Sequence, residues 1–453
     1  MIRGPKIGRR DAMLAGLAAS LSASTGTGLA AIGAAQAKPA NGFGSAGIAP
    51  AAGAIAQTAM LQQALDEAAA SGEPLFLPAG TYRTGRLVLK SGTQVHGVPG
   101  QTVLRSGSET IFEISAANTV RLSGLVLDGT GASGGEDGAL FAATDASDLD
   151  ISDCRFLNSG AGGVILRKTA GRIANCEFGT INGAALLSED AQGFEIRGNH
   201  IHDCGDNGIL VWRSEAGEDG TIVSGNHIER IAAKSGGSGQ NGNGVTVLRA
   251  GSVLVTQNRI ADCAFSAIRI KAASNCQLIA NSCARLGDVA LDAELGFEGV
   301  MVANNIVDTA ATGISVTNFN EIGAHAVVQG NIIRNLFLRK TGEARGTGIC
   351  VDANGTVIGN VVEGAPAYGM RIGRGNYLRD VTVSSNVIRK SYIGIGVSVS
   401  SQAGSVRITD NLINGARDGA IRAMKGPTPI GSDLALERTA SYRNLAVHAN
   451  RSS

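Results

Sequence analysis

The chain alternates short apolar runs with polar turns, and one phrase returns throughout: an apolar residue, two variable residues, Asn, a variable residue and another apolar residue. It is seen in I-R-G-N-H-I (196 to 201) and V-S-S-N-V-I (383 to 388). Successive occurrences lie mostly 22 to 32 residues apart, a repeat length typical of solenoids. The Asn positions are Asn199, Asn226, Asn258, Asn281, Asn305, Asn331, Asn360, Asn386, Asn411 and Asn450, with Cys154 and Cys176 in the same position upstream.

A second phrase, Gly followed by an apolar, a variable and an apolar residue, lies between most of these, as in G-I-L-V from Gly208 and G-V-T-V from Gly244. Each repeat therefore carries short alternating strands rich in Val and Ile, with no helical pattern between them. Strands that recur in every repeat can stack in parallel about 4.8 Å apart, which satisfies their backbone hydrogen bonds. The pattern predicts an all-β chain folded as a single-stranded parallel β-helix.

The period divides the chain into segments. Residues 90–425 are predicted to form one array of coils, because no linker interrupts the period there. Residues 38–89 contain the first strands and an amphipathic helix at 57–70, with Met60 on its apolar stripe. This helix is interpreted as a cap on the open end of the solenoid.

The last segment, residues 426–453, ends in a step of 39 residues between Asn411 and Asn450. Its two Pro residues resist strand pairing, and Leu434 and Leu436 are expected to fold over the core. The prediction is a last coil with an excursion that closes the open end.

Residues 1–37 have the order of a basic region, a weakly apolar stretch and a small-residue cleavage site. Arg9-Arg10 followed by A-M-L fits a twin-arginine export signal, with an ordinary secretory signal or a tail as alternatives. The stretch is too rich in Ala, Gly and Ser for a stable membrane span. We therefore expect the twin-arginine translocation machinery as a partner and a periplasmic or secreted location.

The N-terminal strands carry F-L-P-A-G-T-Y (76 to 82) and L-V-L-D-G (125 to 129) after the helix. This order resembles the entry of the pectate-lyase-like β-helix superfamily, and the whole chain resembles the family of twin-arginine-translocated repeat proteins of that fold. The resemblance implies a right-handed β-helix. Its motifs specify the coil and no particular reaction.

Inward Asn side chains at tight corners can pass amide hydrogen bonds from coil to coil, so the Asn ladder is interpreted as structural. The seven Cys residues are expected to behave as buried apolar residues, with Cys350 alone pointing outward and at most one disulfide. No Cys, His or Asp spacing completes a zinc site. We expect no cofactor; Ca2+ is possible in such a fold, but no cluster of Asp residues indicates it.

Alternation places the second and fourth residues after the Gly on the outside of the solenoid. Counted in this way, Arg269 and Arg371 take second positions, and Trp212, Lys271, Asp292, Thr317 and Asp352 take fourth positions. Asp292 and Asp352 would then lie two rungs apart in one column. The candidate catalytic residues are Asp292, Asp352, Lys271 and Arg371, and the candidate substrate-binding residues are Arg269, Trp212 and Thr317.

Two carboxylates beside cations suit acid and base catalysis at a glycosidic bond, or a lyase site in which a cation neutralises a uronate while Lys or Arg takes a proton. The alternative is an exposed ladder of ion pairs such as Lys271 with Asp292. Enlarged turns at 232–243 and 338–345 precede the same strand and should wall this patch. Trp212 would stack on a sugar ring, although a lone exposed Trp is also ordinary.

The formal charge of +1 argues against a nucleic-acid partner. His200 and His227 are expected to form a surface pair on another face. Two functions stay open: an exported enzyme acting on polysaccharide, lyase or glycoside hydrolase, and a non-catalytic β-helix that binds glycan or supports the cell envelope. The sequence leaves open which sugar or linkage is recognised and how many copies assemble.

Overall fold

The computed structural model describes residues 48–50, 56–107, 110–132, 138–318, 325–340, 345–352, 354–436 and 442–453. The twin-arginine signal at residues 1–37 lies outside them. The described chain is an all-β parallel solenoid that follows one α-helix, as the repeats predicted. Each coil contributes strands to three stacks, and side chains such as Ile209 and Val211 fill the interior.

The first stack is a fifteen-stranded parallel sheet. Its strands are Leu75–Leu77, Gln94–Gly97, Asn118–Ser123, Ser147–Ser152, Gly171–Ala174, Glu195–Arg197, Ile222–Ser224, Leu254–Thr256, Cys276–Ile279, Val300–Ala303, His325–Gln329, Asn354–Ile358, Val381–Ser384, Val406–Thr409 and Leu445–His448.

The second stack begins directly after the Asn corner. Its strands are Gly80–Arg83, Thr102–Arg105, Leu125–Asp128, Arg155–Ser159, Glu177–Ile181, His200–Cys204, His227–Ile231, Arg259–Cys263, Ser282–Ala284, Ile306–Asp308, Ile332–Arg334, Leu412–Asn414, Arg451–Ser452 and the first parts of Val361–Ile372 and Val387–Ser398.

The third stack contains the Gly-led strands. They are Leu87–Leu89, Phe112–Ser115, Ala139–Thr144, Gly162–Arg167, Ala184–Glu189, Asn207–Glu218, Asn243–Gly251, Ile268–Lys271, Val289–Glu294, Thr312–Thr317, Thr347–Asp352, the second parts of Val361–Ile372 and Val387–Ser398, and Ile421–Lys425. The remaining strand is Thr428–Ile430, and a short 3-10 helix spans Gly375–Tyr377.

The Asn ladder is present as predicted. Asn226, for example, accepts at Oδ1 from the backbone N–H of Asn199 (3.0 Å) and from its Nδ2 (2.9 Å). Its own Nδ2 donates to Ile196 O (3.0 Å) and to Asn258 Oδ1 (2.9 Å). The same pattern continues through the series to Asn450. Each corner therefore satisfies buried polar groups of its neighbours.

The helix spans Thr58–Ser71 and buries Leu61, Ala64, Leu65 and Ala68. Met60 is 43% exposed, so its assignment to the buried stripe is wrong. Gly72 ends the helix in the left-handed region at φ 72°, where glycine avoids a steric cost.

At the C-terminus, Thr428–Ile430 folds back antiparallel on Ile421–Lys425. Leu434 is buried, and its N–H donates to Ile421 O (2.8 Å). Two expectations fail here: Pro429 takes part in the strand pair, and Leu436 is 78% exposed. A short antiparallel strand at an edge tolerates a proline because one side of it needs no donor.

Candidate functional site

The outward side chains of the Gly-led strands from Asn207–Glu218 to Val361–Ile372 form a continuous surface, here called the Gly-led face. The strand register resolves them into two columns. The second-position column is Arg269, Asp292, Ser315, Cys350 and Arg371. The fourth-position column is Trp212, Leu248, Lys271, Glu294, Thr317 and Asp352.

The placement of Asp292 beside Lys271 is therefore wrong. Asp292 pairs in register with Arg269 on one side and Ser315 on the other, while Glu294 is the neighbour of Lys271. Consequently Asp292 and Asp352 lie in different columns. Glu294 is a functional candidate that the sequence count missed.

The error concerns the residue that leads the strand. In the coil of Asp292 the position of Gly313 is taken by Ala290, which is fully buried. Glycine is demanded only where the next coil comes very close, as at Gly208, where an added Cβ would lie 2.4 Å from Gly244 O. Placing Asp292 at the fourth position takes Asp288, two residues before Ala290, as the leading residue; Ala267 leads the neighbouring strand without such a shift, so alanine alone is not the cause.

The outward-facing side chains in the middle of the Gly-led face have little exposed surface. Asp292 is 9% exposed, Thr317 is 5% exposed and Asp352 is fully buried, although alternation points all three outward. Cys350, expected to point to solvent, is also buried at 8% exposure. The exposed ion-pair ladder considered from the sequence is therefore not what this part of the face contains.

A pocket of about 290 Å³ opens at the Trp212 end of the Gly-led face. Trp212 and Lys271 line it together with Arg269, and the residues Leu210, Thr246 and Leu248 complete its floor. Trp212 is 38% exposed. The structure thus brings together two of the three predicted substrate-binding residues, Trp212 and Arg269, with the predicted catalytic Lys271, while Thr317 lies outside this pocket.

The enlarged turn 232–243 walls the pocket, as predicted for it. Gly239, Gln240 and Asn241 form the wall, and Asn207 Nδ2 donates to Asn241 Oδ1 (3.2 Å). Asn243 Nδ2 donates to Gly239 O (3.0 Å). These buried amides fix the turn above the strands.

Arg269 joins this wall to the acidic part of the face. Its Nε donates to Glu294 Oε1 (2.9 Å), and its Nη1 donates to Gly239 O. One guanidinium therefore holds both the carboxylate of Glu294 and the turn that encloses the pocket.

Two described arginines of the second enlarged turn, 338–345, form ion pairs with one carboxylate. Arg339 Nη1 lies 3.2 Å from Asp288 Oδ1, and Arg345 Nε lies 3.0 Å from the same oxygen. Residues 341–344 between them lie outside the described chain. These ion pairs join residues about 50 positions apart in sequence.

Asp292 is the most strongly perturbed carboxyl of the face. Its burial, with a smaller contribution from the negative charge of Glu294, raises the pKa of Asp292 to about 7, while Arg269 and Arg345 oppose the rise. Burial disfavours the charged form of a carboxylic acid. Asp292 is consequently able to hold or release a proton near neutral pH.

Asp352 has a different environment. Its Oδ2 accepts from Arg374 Nε (2.9 Å), and its Oδ1 has no hydrogen-bond partner. Burial, followed by the charge of Asp352, raises the pKa of the neighbouring Cys350 thiol to about 12, so this thiol is not an activated nucleophile. Asp352 has no exposed surface, so it does not contact a ligand in this conformation.

Arg371 lies at the far end of the second-position column. Its guanidinium carbon is 5.4 Å from the centroid of the Tyr368 ring, and its Nη2 donates to Gly426 O (3.4 Å). The four predicted catalytic residues therefore fall into separate places, with Lys271 in the pocket, Asp292 beside it, and Asp352 and Arg371 farther along the face.

Elsewhere, the rings of His200 and His227 stack with centroids 5.0 Å apart, which confirms the predicted pair. All seven Cys residues are free and buried. Within the described ranges, no group of three or more His, Cys, Asp or Glu side chains is arranged to hold a metal ion. No helix in that part of the chain has the length and apolar character to cross a bilayer.

The fold and register define a right-handed β-helix. The model of the right-handed β-helix region matches residues 138–235 and 207–379, which together span more than half of the chain. The chain belongs to this family.

Three solved structures illustrate what the fold is similar to. The pre-mature gene product 12 of bacteriophage phi29 is 14% identical with a TM-score of 0.45, over 80% of this chain and 53% of that one, so the chain spans about half of that protein. PfbA, a surface adhesin of Streptococcus pneumoniae, is 14% identical with a TM-score of 0.46, over 84% and 92%. The catalytic unit of an alpha-1,3-glucanase from Streptomyces thermodiastaticus is 12% identical with a TM-score of 0.39, over 88% and 66%.

Proposed function

We propose that the protein binds a polysaccharide chain on the Gly-led face and cleaves it there. The observation that carries this proposal is the pocket itself, in which the half-exposed ring of Trp212 and the ammonium group of Lys271 face one cavity of about 290 Å³. An aromatic ring packs on the apolar face of a sugar, and the surrounding polar groups bind its hydroxyls. The volume is about that of a small ligand site.

The cleavage step is assigned to the carboxyls next to the pocket. Asp292 and Glu294 are two residues apart on one strand and face the same side, so their Cα atoms are roughly 6.6 Å apart. Asp292 would protonate the leaving oxygen of the glycosidic bond, and Glu294, oriented by Arg269, would activate the attacking water. These roles replace the pairing of Asp292 with Asp352 drawn from the sequence.

A second candidate function is glycan binding without cleavage. The burial of Asp352 beneath Arg374 favours it, because one of the two predicted catalytic carboxyls is thereby withdrawn from any ligand. In this case the Trp212 pocket still binds the polymer, and no product forms.

Incubation with a panel of uronate and neutral polysaccharides separates these functions. A hydrolase yields new reducing ends alone, a lyase also yields absorbance from unsaturated products, and a binding protein yields neither. We expect Trp212→Ala to weaken binding by about five- to 150-fold, since loss of a stacking ring costs about 1–3 kcal/mol. Binding that survives in Trp212→Ala would remove the pocket from the proposal.

We also propose that the protein acts outside the cytoplasm, in the periplasm or secreted, after twin-arginine export. The N-terminal pair Arg9-Arg10 supports this. Replacing both by Lys should leave the protein in the cytoplasmic fraction, detected by cell fractionation and immunoblotting. Unchanged export would point to the general secretory route.

A further inference from the structure

Among the residues that the structure describes, two cations of the Gly-led face have no acidic partner. Within the described ranges neither Lys271 nor Arg371 forms an ion pair. Other guanidinium groups that border the face in the described part of the chain are bound to carboxylates: Arg269 to Glu294, Arg339 and Arg345 to Asp288, and Arg374 to Asp352.

Arg371 is also incompletely hydrogen bonded. Its Nε is buried and has no acceptor among the described residues, and Nη2 makes a long hydrogen bond to Gly426 O (3.4 Å). A buried donor without an acceptor costs free energy that a bound acceptor would recover. The planar guanidinium is suited to carboxylate and sulfate oxygens, which it can bind with two parallel hydrogen bonds.

The two cations are spaced along the stack. Lys271 lies in the coil of Ile268–Lys271 and Arg371 in the coil of Val361–Ile372, with three coils between them. Four rungs correspond to about 19 Å. A single monosaccharide cannot reach both groups, whereas an extended chain of several sugars along the face can.

The carboxyls between the two cations leave this positive charge uncompensated. Glu294 and Asp352 are already bound to Arg269 and Arg374. Asp292 is buried, and burial favours the neutral form of a carboxyl, so this side chain compensates little positive charge below neutral pH. The excess positive charge of the face is thus located at its two ends.

We infer that Lys271 and Arg371 bind two anionic groups of one extended glycan, so that the ligand is a polyanionic polysaccharide. This inference rests on the proposed function and adds the charge and minimum length of the ligand. The anionic group is an oxyanion, either the carboxylate of a uronate or a sulfate ester. The pocket at Trp212 binds one sugar, and Arg371 secures a charged sugar several units farther along.

The test uses calorimetric titration of the full chain with oligouronates of increasing length. Each is matched by a neutral oligosaccharide made by reducing its carboxyl groups, which keeps the linkages unchanged, and sulfated oligosaccharides form a third arm. The variants are Arg371→Gln, Arg371→Lys and Lys271→Gln. The matched control is Arg389→Gln, which removes an exposed arginine on the second stack.

We expect Arg371→Gln to weaken binding about tenfold for long charged oligosaccharides, as loss of a charge-assisted hydrogen bond predicts, and to leave short ones unaffected. Lys271→Gln should weaken binding at both lengths, and Arg389→Gln at neither. Arg371→Lys keeps the charge and should give an intermediate loss. Preference for the uronate or the sulfated arm identifies which oxyanion is recognised.

The inference is overturned if the reduced, neutral oligosaccharides bind as tightly as the charged ones, or if both Arg371 variants bind every length like the wild type. Tight binding of neutral oligosaccharides that Trp212→Ala abolishes would leave the proposed function standing without this inference. If the protein binds none of the oligouronates, the neutral oligosaccharides or the sulfated oligosaccharides, both the inference and the proposed function are wrong.

Discussion

Replacing Asn305 with Leu should lower the free energy of unfolding by at least about 3 kcal/mol, because several buried polar groups lose their partners at once. Asn305 is fully buried. Its Oδ1 accepts from Asn281 N (2.9 Å) and Asn281 Nδ2 (3.0 Å). Its Nδ2 donates to Leu278 O (2.9 Å) and Asn331 Oδ1 (3.0 Å), and leucine can replace none of these bonds.

The control is Asn450→Leu at the end of the same ladder. Asn450 is partly exposed, so water can satisfy the groups it leaves, and the cost should be much smaller. Denaturant unfolding of both variants measures the difference. Equal stability of Asn305→Leu and the wild type would show that the ladder hydrogen bonds contribute little to the coil stack.

Replacing Asp292 with Asn should reduce polysaccharide cleavage by about 100- to 10,000-fold, the usual contribution of a general acid. The amide keeps the shape of the side chain but has no proton to transfer. Wild-type activity should fall as pH rises through about 7, because burial raises the pKa of Asp292 to about 7 and its acid form is then lost. Asp262→Asn, which removes a surface carboxylate paired with Arg285, should keep full activity.

The stability of Asp292→Asn gives an independent check. Burial raises the pKa of this carboxyl from 3.8 to about 7 in the fold, so between these values the unfolded chain releases a proton that the folded chain retains. Folding is therefore disfavoured progressively as pH rises from about 4 to about 7, by on the order of 4 kcal/mol in total.

The amide of Asp292→Asn does not ionise, so this variant should lose less free energy of unfolding than the wild type between about pH 4 and about pH 8. Denaturant unfolding at the two pH values measures the difference. Identical pH dependence of Asp292→Asn and the wild type would contradict the burial of an ionisable group at this site.

The repeat, the Asn ladder and the capping helix could be predicted because each depends on residues close in sequence or on a fixed period. The helix was expected at 57–70 and spans Thr58–Ser71. The ladder Asn residues bind the same atoms in coil after coil, so one motif determines every corner.

The candidate site was predictable only in part. Strand alternation predicted that Trp212 and Lys271 lie on one face, and the length of the turn 232–243 predicted that this turn walls it. The register around Asp292 does not follow from alternation, since no glycine marks the start of that strand and the count began at Asp288 in place of Ala290. The burial of Asp292 and Asp352 and the ion pair of Asp352 with Arg374 are tertiary features that no local pattern encodes.

Trp212 is the only Trp of the chain, so its fluorescence reports directly on the pocket. The most direct measurement is therefore a titration of the wild type with polysaccharide, followed by Trp emission and, in parallel, by calorimetry. A ring that stacks on a sugar should give a saturable change in emission at the calorimetric affinity, and Lys271→Gln should shift both curves together. Binding detected by heat with unchanged emission would contradict a glycan site in the Trp212 pocket.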